Sequence, residues 1–205
     1  MNTRIISNSF IAALVYEVII KLLIQIWPSF FHGSFWPGIT SFLSLVVAVI
    51  FVLYGYSLYR EFYEAPGVRR IIEWAVGFLA VSALLRVPFL REFLPRDLVF
   101  MLNHVLQFLL AVLITTLFFT LDQTREFRNR ALNLSLQFCG SIFAFHGFLA
   151  LVKVIQYSRH LAGQTPAEPS AAFLWIVVII FSLSRISLLV FAINFQRERE
   201  LRSRH

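Results

Sequence analysis

The stretch FSLSRISLLVF, Phe181 to Phe191, sets one arginine in the middle of apolar sequence. A guanidinium keeps its proton at physiological pH, and hydrocarbon does not solvate it. The surrounding run, near 171–194, exceeds the roughly 20 residues that a membrane-crossing helix requires. Arg185 therefore decides how the chain is read. It belongs to a spanning helix that faces other helices, and it calls for an acidic partner at the same depth.

The rest of the chain agrees with a membrane reading. Hydrophobic residues make up 59 % of the 205 residues and charged residues only 14 %, with 23 Phe and eight Gly. Soluble domains carry far more charge. Six apolar runs are long enough to span, near 8–27, 38–59, 70–90, 98–120, 132–156 and 171–194. The expected fold is all-α: a single transmembrane domain over residues 1–205, built as a polytopic bundle of six helices. The third run is the weakest, because its clean part stops near Leu85. Pro88 and LREFLPRD after it read as a short interfacial helix. The first run carries Glu17 and Lys21 and lacks a small-residue cleavage site, so it reads as a retained helix.

Loop charge orients the bundle. The N-terminus, the loops after runs two and four, and the C-terminus hold Arg4, Arg60, Arg69, Arg70, Arg125, Arg128, Arg130, Arg197, Arg199, Arg202 and Arg204. The opposite loops hold Arg91, Arg96 and Arg159. Counting Lys21, Arg86 and Lys153 on that side leaves the bias unchanged, and it puts both termini in the cytoplasm of a bacterial-type inner membrane. The outer loop WPSFFHGSFWPG is crowded with aromatic rings, which favour the headgroup level.

The net charge of +7 comes from short clusters between apolar runs. That distribution fits anionic headgroups and not nucleic acid. A shift of 65 residues lays Arg60-Glu61-Phe62 on Arg125-Glu126-Phe127 and Lys21 on Arg86, and a shift of 67 lays Arg86 on Lys153. Three helical hairpins would share this spacing, and so would a positive-inside pattern without any repeat.

Candidate site residues follow from depth. Glu17 and Arg185 lie about 14 Å above the inner ends of their helices at 1.5 Å per residue, so they are the expected buried ion pair. A pair that only fixes helix packing is the simpler reading of it, and Ser182, Ser184 and Ser187 would ease close helix approach. Lys21, Arg86, His104, His146 and Lys153 gather toward the outer half, where they form a candidate anion or lipid site; snorkelling explains the cations nearly as well. His104 and His146 are also the candidate axial ligands of a b-type haem. The bulky Phe and Leu around them leave little room for a porphyrin, so no cofactor is expected. Ser135, Cys139 and His146 share a helix face, but Cys139 and His146 are about 10 Å apart along it, too far for a nucleophilic pair.

Arg197, Arg199, Arg202 and Arg204 in NFQRERELRSRH form a candidate cytoplasmic docking face, or a solvated helix end. No nucleotide-binding, serine-hydrolase or metalloprotease motif occurs. The leading functional expectation is a non-enzymatic subunit or sensor-like module that meets another membrane protein, a second copy or a cytoplasmic partner. The alternatives are a transporter or binding protein for an anionic amphiphile, and a haem electron carrier.

Overall fold

A computed structural model describes residues 3–27, 36–85, 87, 93, 95–124, 127, 129–163 and 171–203. Six long helices carry nearly all of them: α1 Thr3–Ile26, α2 Trp36–Glu61, α3 Pro66–Leu84, α4 Arg96–Thr124, α5 Arg130–Leu161 and α6 Ala171–Ser203. No strand occurs among the described residues.

Local signals set several boundaries. Pro66 opens α3, where its missing N–H costs no helical bond. Asn129 caps α5, its Oδ1 accepting from the Ala131 N–H at 3.1 Å. Gly163, with φ of +76°, follows the end of α5 in the left-handed region that glycine tolerates.

Five helices (α1, α2, α4, α5 and α6) are long and apolar enough to cross a membrane. The chain therefore reads as an integral membrane protein. α3 is the exception. It has 19 residues and includes Arg69, Arg70 and Glu73, so polar groups occupy its first two turns. It also starts and stops earlier than the 70–90 run expected from hydropathy, because Pro66 nucleates a helix before the apolar part begins. α5 and α6 likewise run past their apolar cores, to Leu161 and Ser203. Hydropathy marks the greasy part of a helix and not its hydrogen-bonded ends. Of LREFLPRD, Phe93 and Pro95 to Asp97 are described, Arg96 and Asp97 already within α4; the rest of it and most of WPSFFHGSFWPG lie outside the described residues.

Each helix packs mainly on its two neighbours in sequence, and α1 packs on α6, so the six close into a ring. The α4–α5 contact is the most extensive. Small residues make it close: a Cβ on Gly140 would sit 3.1 Å from Cζ of Phe119, and one on Gly147 would sit 3.3 Å from Ala111 Cβ. Ser184 and Ser187 are fully buried on α6, as is Cys139 on α5. The Cys139 thiol donates to the Ser187 carbonyl at 3.0 Å, which ties α5 to α6.

The outside of the ring is apolar. Phe42, Trp74, Phe145, Phe148 and Trp175 are all at least half exposed. A soluble protein rarely leaves so continuous an apolar perimeter bare.

Candidate functional site

Arg185 on α6 turns into the ring. Its Nε stands 2.6 Å from Glu17 Oε2 on α1, and both side chains are largely buried, 17 % and 15 % exposed. The Nε–H does not lie along this line, so the contact is a charge contact and not a well-directed hydrogen bond. The guanidinium carbon also lies 5.2 Å from the centre of the Phe51 ring and 4.8 Å from that of Phe181. The cation is thus held by one carboxylate and two aromatic faces.

Around this pair the ring holds a partly open chamber of about 380 Å³ to which all six helices contribute. That volume falls within the range of small-molecule sites, about 300–1,000 Å³. Its walls are mostly Phe, Leu, Ile and Val. The polar exceptions include Glu17, Arg185, His146, Asn103, Gln107 and Tyr54. The Tyr54 hydroxyl is buried without a hydrogen-bond partner among the described residues. Its ring stacks on Phe10 with centroids 3.8 Å apart.

The state of His146 follows from its partner. Ser184 Oγ donates its single proton to the Phe181 carbonyl at 2.7 Å. His146 Nδ1 lies 3.1 Å from that same Oγ. With its proton on the Phe181 carbonyl the hydroxyl has none left to give, and on that assignment Nδ1 carries the hydrogen and donates. In the neutral ring Nε2 then holds the lone pair. The imidazole stacks on Phe143 and faces Phe181, and His146 lines the chamber wall.

A smaller cleft of about 50 Å³ adjoins the chamber, sharing Gln107, His146 and Phe181 and adding Lys153. His104 stands beside this cleft, within reach of Gln107 and Lys153. It is buried against Phe100, ring centres 4.5 Å apart, and lines neither space. The structure therefore brings His146 and Lys153 to one cleft, with His104 in electrostatic reach of the same Lys153. The described residues contain no group of three or more His, Cys, Asp and Glu arranged to hold a metal. The Lys21 side chain, Arg86 and Arg204 lie outside the described residues.

At the end of the bundle that carries the N-terminus, a second polar cluster locks α6 in place. Arg199 reaches Glu61 Oε2 at 3.2 Å, Ser7 Oγ at 3.3 Å and Ser57 Oγ at 3.4 Å, linking α6 to α1 and α2. Glu198, 1 % exposed, accepts from the Asn129 N–H at 3.0 Å and from Arg202 Nε at 3.1 Å. Asn129 in turn donates through Nδ2 to the Asn194 carbonyl. Arg199 and Arg202 are thus engaged within the bundle, and of the expected docking residues only Arg197 is described as exposed without such contacts.

Sequence reasoning missed Tyr54, Asn103, Gln107 and Glu198. Asn103 and Gln107, four apart in the apolar α4, are the one pair whose spacing already put two amides on one helix face. No protein-family model, curated protein or solved structure matches this chain.

Proposed function

We propose that this chain is a sensor-like integral membrane protein that acts by binding a small amphiphilic molecule in its central chamber. The carrying observation is the chamber itself: an apolar space lined by all six helices, with a few polar groups among its walls. Sites that bind small molecules have this composition. The topology proposed with it has both termini in the cytoplasm of a bacterial-type inner membrane, as the basic loops favour.

The sensor-like character is supported by α6. This helix contributes Arg185 to the chamber and, about four turns on, Arg199 and Glu198 to the polar cluster. A ligand that moves Arg185 acts on a helix whose far end is hydrogen-bonded to α1, α2 and the α4–α5 connection. Exposed Arg197 and the charged tail then offer the surface on which a cytoplasmic partner or anionic lipid reads the change.

Photolabelling with an apolar diazirine in native membranes tests this reading. Adducts are expected in two sets: perimeter residues such as Phe42 and Trp74, and chamber residues such as Phe51 and Phe143. Labels confined to the perimeter would refute the ligand chamber. Labels absent from the perimeter would refute membrane insertion.

A further inference from the structure

The polar groups of the chamber specify more than a generic amphiphile. We infer that the molecule it takes has an uncharged head that gives one hydrogen bond and receives another, a hydroxyl or a protonated carboxyl. This rests on the ligand-chamber reading above and narrows it to a chemical class.

Three observations converge. First, the Arg185 charge is already matched by Glu17 at 2.6 Å, so the pair is neutral as a unit. An anionic head would enter a space with no net positive charge from this pair, and would lose its hydration without a counter-charge. Second, the Ser184 proton is committed to the Phe181 carbonyl, which makes His146 Nδ1 the donor and leaves Nε2 as a lone pair on the wall. Nε2 needs a donor, and an ionised carboxylate, sulfonate or phosphate diester offers none. Third, Arg185 meets Glu17 through Nε, and the guanidinium carries further N–H groups on Nη1 and Nη2. His146 and Arg185 both adjoin the Phe181 ring, so one small head group is flanked by an acceptor and a donor.

A hydroxyl or a protonated carboxyl satisfies both neighbours: its O–H goes to His146 Nε2 and its oxygen accepts from Arg185. The remainder of the molecule lies against Phe10, Phe51, Phe118 and Phe191, which present rings and no charge. The inferred head is neutral, where the sequence reading has an anionic one. The anionic expectation named Lys21, Arg86, His104, His146 and Lys153; of those whose side chains are described, His146 and Lys153 line the adjoining cleft, and His146 alone lines the chamber.

The test uses the full-length chain in phosphatidylcholine nanodiscs and a medium-chain alcohol bearing a diazirine. Decanol, decanoic acid, decyl methyl ether and decane sulfonate compete for labelling of chamber residues, compared at equal concentration in the bilayer. Decanol and protonated decanoic acid are expected to displace the probe at about tenfold lower concentration than the ether or the sulfonate. His146→Phe should erase the tenfold gap between decanol and its ether. Equal competition by the ether overturns the donor requirement, and stronger competition by the sulfonate overturns the neutral-head requirement. The wild-type series decides both without the variant. If no chamber residue is labelled at all, the ligand-chamber reading itself fails.

Discussion

Replacing Arg185 with Leu removes the charge that faces Glu17 across the α1–α6 seam. Breaking a fully buried ion pair by deleting one partner costs about 3–5 kcal/mol, because the other charge is left without compensation. The side chains here keep 17 % and 15 % exposure toward the chamber, so the lower end of that range applies, about 3 kcal/mol. For a chain of this length each kcal/mol moves Tm by about 2–4 °C, so Arg185→Leu is expected to lower Tm by about 6–12 °C. Adding Glu17→Leu removes the stranded carboxylate and should return about 2 kcal/mol through the coupling of the two sites. Recovery stays incomplete, since the contacts of Arg185 with Phe51 and Phe181 are lost in both variants. The protein supplies its own reporter. Cys139 is the sole cysteine and is fully buried, so a thiol-reactive fluorophore labels it only as the bundle opens. A heating ramp followed by this fluorescence gives Tm for wild type, both single variants and the double variant. A double variant as unstable as the two single losses added together would refute the pairing as a stabilising contact.

Further outcomes follow from the packing. Gly140→Ala puts a methyl 3.1–3.2 Å from three atoms of the Phe119 ring and should cost about 1–3 kcal/mol by the same thiol assay. Gly77→Ala meets nothing within 4 Å on α3 and should be neutral or stabilising by up to about 1 kcal/mol. Glu198→Ala strands the part-buried Asn129 N–H and should cost about 1–2 kcal/mol, whereas exposed Arg197→Ala should stay within about 0.5 kcal/mol. Arg199→Met breaks its contacts with Ser7, Ser57 and Glu61 together, and hydrogen exchange should rise first at the adjoining ends of α1 and α2.

Much of the helical frame is legible in the sequence because it is local information. Apolar runs of spanning length mark five of the helices, and Pro66 and Asn129 mark starts that hydropathy places a few residues late. Depth counting is also local to each helix, and it puts Glu17 and Arg185 at one level; the structure sets them 2.6 Å apart. The chamber is a different matter. It exists because α1 packs on α6 and closes the ring, a contact between chain ends that no window of sequence contains. Tyr54 is one more aromatic residue in an apolar run until the ring turns it inward. Arg199 reads as solvated helix end, because Ser7, Ser57 and Glu61, which take up its donors, come from two other helices. His104 and His146 look similar by depth and composition, but their ring partners differ, Phe100 for one and Ser184 for the other.

The most direct test of the ligand chamber is native mass spectrometry of the protein released from gently solubilised membranes, run beside Ala48→Phe. Ala48 is buried on the chamber wall, so a phenyl ring there takes up the space a ligand would occupy. The expected result is a small-molecule adduct on the wild type that is absent from the variant, with Cys139 still protected in both. A wild-type protein that carries no adduct, or an adduct that survives Ala48→Phe unchanged, would contradict the account.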